Sequence, residues 1–205
     1  MYYIDILLIT INQIYNNSKL EIMATKVSYE DSPEKRAVRE FLFSFFVLKQ
    51  FNKIIGLAGP DIKAYLQYCK SKGFNHFEIF ESDMGVLMKQ MREVDSTVAL
   101  RYGNILSADA DRDDVLYDLD YCSTVRYMKE HIKKFNKNFI MTFSRRIKDI
   151  ETISTFFKAK GEEIVSVVTK FSPREYKVYH TDKGNEYIYL NYKDTSCMCC
   201  IAKIN

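Results

Sequence analysis

The chain has 205 residues, 47% of them hydrophobic and 28% charged. That length and balance suit one globular domain with an appended arm, and exclude wholesale disorder, collagen-like repeats and a multi-span membrane protein. Lys and Arg total 30 against 27 Asp and Glu, a net charge of +3, too mild to mark a nucleic-acid binder without local clustering. The five Cys are an odd number without the spacing of a secreted disulfide framework, so free thiols in a reducing compartment are expected.

The apolar opening, residues 1–11, has no basic lead, carries Asp5 and meets Asn12 too early to span a bilayer, so neither a signal peptide nor a membrane helix is expected. It reads as an arm, residues 1–30, that packs on the domain or on a partner, with a start at Met23 as the alternative. The remainder, 31–205, reads as one α/β domain.

Asp31-Ser32-Pro33-Glu34 reads as an N-cap, a proline and an acidic first turn, and predicts a helix over 35–51. Its Phe41, Phe43, Phe45 and Phe46 exceed one narrow stripe, so the helix should be well buried against a sheet. Short apolar runs then alternate with helical patterns. Strands are predicted over 54–58, 76–80, 97–102, 114–119 and 139–143, with helices over 61–72, 84–92, 125–135 and 147–160. Period-two alternation over 176–181 and 187–192 flanks the turn Asp182-Lys183-Gly184-Asn185, and another apolar run covers 197–204. The fold class is therefore α/β: a Rossmann-like three-layer sandwich, mostly parallel, with an antiparallel C-terminal hairpin. In such a sheet ligands bind outside the carboxyl ends of the strands.

At those ends, Gly56-Leu57-Ala58-Gly59-Pro60-Asp61 offers a turn where backbone can approach a nucleoside, although a tight turn binding nothing has the same composition. Glu81, about 20 residues on, is placed to accept from both ribose hydroxyls, with Asp83 as understudy and a solvated loop acid as the alternative. Asn104, beside Ile105, suits a base edge or a turn equally. Asp118-Leu119-Asp120-Tyr121 puts two acids at the mouth of a buried strand, where each charge needs a partner or a task. On one face of a continued strand they would repel, so the chain is expected to leave strand geometry near Leu119, one acid facing the cleft and the other capping the next helix.

This series of strand-end residues resembles the class I S-adenosylmethionine-dependent methyltransferases, over residues 36–205. The resemblance implies a methionine-binding loop of Gly56, Ala58, Gly59 and Asp61, ribose on Glu81, and adenine on Asn104 and Ile105. It further implies a methyl acceptor facing Asp118, Asp120 and Tyr121, a motif similar to the Asp/Asn-Pro-Pro-Tyr element of amino methyltransferases and to the Asp-x-Asp-Pro element of tRNA guanine methyltransferases. The acid usual before the glycine loop is replaced by Ile54 and Ile55, one glycine by Ala58, and the motif prolines are missing.

The implied activity is S-adenosylmethionine-dependent methyl transfer to a nucleic-acid base; the alternative is an inactive member of the same fold acting as a binding or structural subunit. Arg145 and Arg146, after the fifth strand, are candidate phosphate contacts for DNA or RNA, or an ordinary loop pair. No metal site is expected: Cys197-Met198-Cys199-Cys200 reads as a buried strand, and His76, His131 and His180 are scattered. A protein partner or homodimer is admitted, and a membrane is not. Residue usage heavy in Lys, Ile, Asn and Tyr suits a low-GC genome such as a virus or phage, and the expected location is the cytoplasm, of the host if viral.

Overall fold

A computed structural model describes residues 32–46, 51–110, 112–121, 123–145, 149–193 and 197–203. The arm, Met23, Cys122 and Arg146 lie outside the described residues. Ser32 accepts a hydrogen bond from the Lys35 backbone N–H at 3.1 Å and starts helix α1 (Pro33–Ser44), with Pro33 in the first turn. The helix ends at Ser44, short of the expected end; Phe41, Phe43 and Phe46 are buried in the core beneath it.

The chain then alternates as expected. Strand β1 (Lys53–Gly56) leads to helix α2 (Ile62–Ser71), and β2 (His76–Glu81) to α3 (Met84–Gln90). Next come β3 (Val98–Tyr102), a 3-10 turn (Ile105–Ser107), β4 (Val115–Asp120) and β5 (Phe139–Ser144). The helix expected over 125–135 is split into a 3-10 turn (Val125–Tyr127) and helix α4 (Lys129–Lys134), and α5 (Asp149–Lys160) follows β5. The rest is antiparallel: β6 (Ile164–Phe171), β7 (Glu175–Thr181), β8 (Glu186–Asn191) and β9 (Met198–Lys203).

The nine strands among the described residues form one sheet in the order β3-β2-β1-β4-β5-β9-β8-β7-β6. The first five pair in parallel, and the last four continue the sheet antiparallel from β5. The expected hairpin is β7–β8, but β9 inserts between it and β5. Strand β6 was not expected at all. Alternation sorts the side chains into two cores, with Ile54, Ile79 and Leu116 packing under α1 and α2 on one face. Ile55, Tyr117 and Leu119 pack with α4 and α5 on the other, giving the three layers. Cys199 and Cys200 are buried in β9 as expected, but Cys197 precedes the strand and is exposed. No helix among the described residues is long and apolar enough to cross a membrane.

One backbone expectation is corrected. Strand geometry runs on through Asp120, so Asp118 and Asp120 do share a face of β4, and neither caps the following turn or helix. The repulsion is answered from α1, one turn of which sets Lys35 and Arg39 above the two carboxylates. Lys35 Nζ is 2.7 Å from Asp120 Oδ2, and Arg39 Nε is 3.4 Å from Asp118 Oδ2. Tyr65 of α2 adds a hydrogen bond from its hydroxyl to Asp118 Oδ2 at 3.0 Å.

A candidate nucleoside cleft at the carboxyl ends of the parallel strands

The strand order reverses between β1 and β4, and at that switch point a cleft of about 470 Å³ lies beyond the carboxyl ends of the strands. Its floor is the β1–α2 turn, where Ala58, Gly59 and Asp61 line the cavity. Gly59 has φ +64°, and a Cβ there would have nothing within 4 Å, so its backbone is presented bare to the cleft. Asp61 stands at the N-terminus of α2, yet its side chain makes no capping bond to the helix. The carboxylate therefore faces a lined cavity with no structural use for it in the helix.

Glu81, at the end of β2, lines the same cavity. Its Oε1 accepts the Asp83 backbone N–H at 2.8 Å, while Asp83 caps α3 by accepting from Val86 at 3.0 Å. The two acids thus divide the work, Asp83 starting the helix and Glu81 facing the hollow. Burial pushes the Glu81 carboxyl above the usual carboxylate range, against the lowering effect of the Asp83 and Ser82 backbone N–H groups. Asn104 and Ile105 line the opposite wall after β3. Asn104 Oδ1 accepts from Leu106 N–H at 2.9 Å, which orients the amide and caps the 3-10 turn. Gly103, with φ +132°, also lines the cavity and bonds through its N–H to the Glu81 carbonyl at 2.9 Å, locking the two strand ends together.

At the other end stand Asp120 and Tyr121. Asp120 Oδ2 is held by Lys35, while its Oδ1 is buried without a hydrogen-bond partner. Tyr121 is 6% exposed, stacks on Phe143 with ring centroids 5.9 Å apart, and its hydroxyl is 2.9 Å from His131 Nδ1. Burial raises the Tyr121 hydroxyl and lowers the His131 imidazole, so the two neutral groups share one hydrogen bond whose direction follows the imidazole tautomer.

Three of the sequence candidates are placed elsewhere. Asp118 is 4% exposed and lies beneath the cleft, where burial raises its carboxyl and Arg39 opposes the rise. Gly56 lies within β1, outside the lining, where a Cβ would sit 2.3 Å from the Asp118 carbonyl oxygen. Arg145 does not line the cavity; its guanidinium is engaged by Asp149 at the start of α5.

Sequence reading missed Lys35, Arg39, Tyr65 and His131, all of which line the cleft. It also missed Gln90, which is wholly buried and donates to the Gly59 carbonyl at 2.7 Å, tethering the glycine turn to α3. The spacing of Lys35 and Arg39, one helical turn apart, matches two acids two residues apart on a strand, and that is the one signal that pointed to them.

No protein-family model and no curated protein matches the sequence. Among solved structures, one similar to this chain is an S-adenosylmethionine-dependent methyltransferase from Leishmania major, with TM-score 0.50 and 12% identity over 83% of this chain and 70% of that one. Another is a candidate RNA methyltransferase from Pyrococcus horikoshii, with TM-score 0.51 and 9% identity over 85% of this chain and 86% of that one. By these likenesses and its three-layer, mostly parallel sheet, the chain has the Rossmann-like fold of the class I S-adenosylmethionine-dependent methyltransferases.

Proposed function

We propose that the cleft binds S-adenosylmethionine and that the protein transfers its methyl group to a nitrogen of a nucleic-acid base. The observation that carries the reading is the convergence of Gly59, Asp61, Glu81 and Asn104, from three separate strand ends, on one cavity of nucleoside size. The residues fit the cofactor. The bare backbone at Gly59 and the uncommitted Asp61 suit its amino-acid end, Glu81 the ribose hydroxyls, and the Asn104 amide with Ile105 the base. When bound, the sulfonium supplies an already activated methyl, so the protein's task is alignment of the acceptor.

Asp120 Oδ1 supports an acceptor carrying N–H groups. A buried, unpartnered carboxylate oxygen is costly, and a donor from an exocyclic amine relieves that cost while orienting the amine lone pair. The comparison with a candidate RNA methyltransferase adds support for a nucleic-acid acceptor. A second reading, a non-catalytic cofactor-binding subunit, is favoured by Tyr121, whose ring is covered and whose hydroxyl is spent on His131.

Calorimetric titration with S-adenosylmethionine and its demethylated product tests the cleft. Glu81→Ala is expected to weaken binding about 10- to 100-fold, the loss of hydrogen bonds to a charged acceptor. Because burial raises the Glu81 carboxyl, affinity should fall on acidification at a higher pH than for an ordinary glutamate, and Glu81→Gln should flatten that fall. Absence of binding to the wild type overturns the proposal. Binding without label transfer to RNA or duplex DNA selects the second reading.

A further inference from the structure

The two edges of the sheet are built differently. At one edge, β3 has five residues and carries Arg101, which reaches Glu78 at 3.2 Å. A short, charge-bearing strand of this kind resists pairing with another chain. At the other edge, β6 has eight residues and every one is exposed, on both faces of the sheet. Val165 is 65% exposed, Val167 51% and Phe171 76%. Its single charge is Lys170, and it contains no proline. A bulge between Ile164 and Ser166 leaves a regular ladder over 166–171.

We propose that β6 is the pairing edge of a homodimer, in which a second copy adds its own β6 antiparallel about a two-fold axis through Val167 or Val168, so that the sheet runs on across the interface. A two-fold axis normal to the sheet makes the pairing antiparallel, and the strand suits that arrangement. Lys170 lies near one end of the strand and the exposed Glu163 just beyond the other. Antiparallel pairing brings Glu163 to the end where the partner's Lys170 lies, with valines facing each other in the middle. Parallel pairing would set lysine beside lysine and glutamate beside glutamate. Eight exposed residues per copy, each losing on the order of 60 Å², bury on the order of 1,000 Å² in total, the threshold of a specific interface. The edge is four strands beyond β5, so the proposal is independent of the cleft.

Sedimentation velocity of the full chain at micromolar concentration is expected to return the dimer mass. Val167→Lys combined with Val168→Lys changes only exposed positions and should weaken association on the order of 100-fold or more while leaving circular dichroism unchanged. In the wild type, the β6 amides that point away from β7 should exchange slowly in the dimer and quickly after dilution. A wild-type monomer, a dimer that survives both lysines, or outward-pointing β6 amides that exchange freely within the dimer each overturn the proposal.

Discussion

Arg39→Met is expected to destabilise the fold by roughly 3–5 kcal/mol, the cost of removing one partner of a buried ion pair. The side chain of Arg39 is 12% exposed and that of Asp118 6%, so little water is at hand to take over the charge. For a chain of this length the melting temperature should fall by roughly 6–20 °C. The loss should shrink in acid. Burial already raises the Asp118 carboxyl and Arg39 opposes the rise, so deleting the cation raises it further. A carboxyl whose folded pKa is raised contributes stability that is present below its unfolded pKa and lost as pH rises through the folded value. Chemical denaturation of the variant should therefore show a small deficit at acid pH and the full deficit at neutral pH. A deficit of the same size at both would refute the charge argument. Asp118→Asn on the Arg39→Met background should restore most of the loss.

Gly56→Ala is expected to be comparably severe for a steric reason. Gly56 pairs with Asp118 across the parallel β1–β4 ladder, and the Leu57 N–H bonds the same Asp118 carbonyl at 3.1 Å. A Cβ at 2.3 Å from that oxygen meets backbone, which has no rotamer to give. The strands must separate or shear, at a cost of roughly 3 kcal/mol or more against a total stability of about 5–15 kcal/mol. Soluble yield and melting temperature of the variant measure it, and a melting temperature within about 2 °C of wild type would show that the ladder can shift.

Both predictions concern contacts that separate what was legible in the sequence from what was not. Strands β1, β2, β4 and β5 could be read because burial in the parallel part of the sheet demands apolar runs at their centres, and β3 because Val98 and Leu100, two residues apart, pack half-buried against the same core. Strand β6 could not, because it is exposed on both faces and no buried side imposes alternation on Ile164-Val165-Ser166-Val167-Val168. The placing of β9 between β5 and β8 was equally hidden, since strand order is a matter of long-range pairing. In the site, Glu81 and Asn104 could be found because a strand's end puts its next residues on the ligand-binding rim. His131, Gln90 and Lys35 reach that rim from helices, and no local spacing shows which way those helices lean.

The pair Asp118 and Asp120 marks the boundary. Local reasoning expected their repulsion to end the strand, because two residues apart on a strand they share one face of the pleat. The strand continues because Lys35 and Arg39, some eighty residues earlier, arrive on a packed helix. By itself the sequence determined the alternation of strands and helices in the parallel half and which residues stand at the strand ends, both of which follow from burial period and turn composition. Only the tertiary structure decided which charges meet, which acid faces the cavity and which edge stays bare. Those outcomes depend on distances between segments remote in the chain, and local pattern carries no record of them.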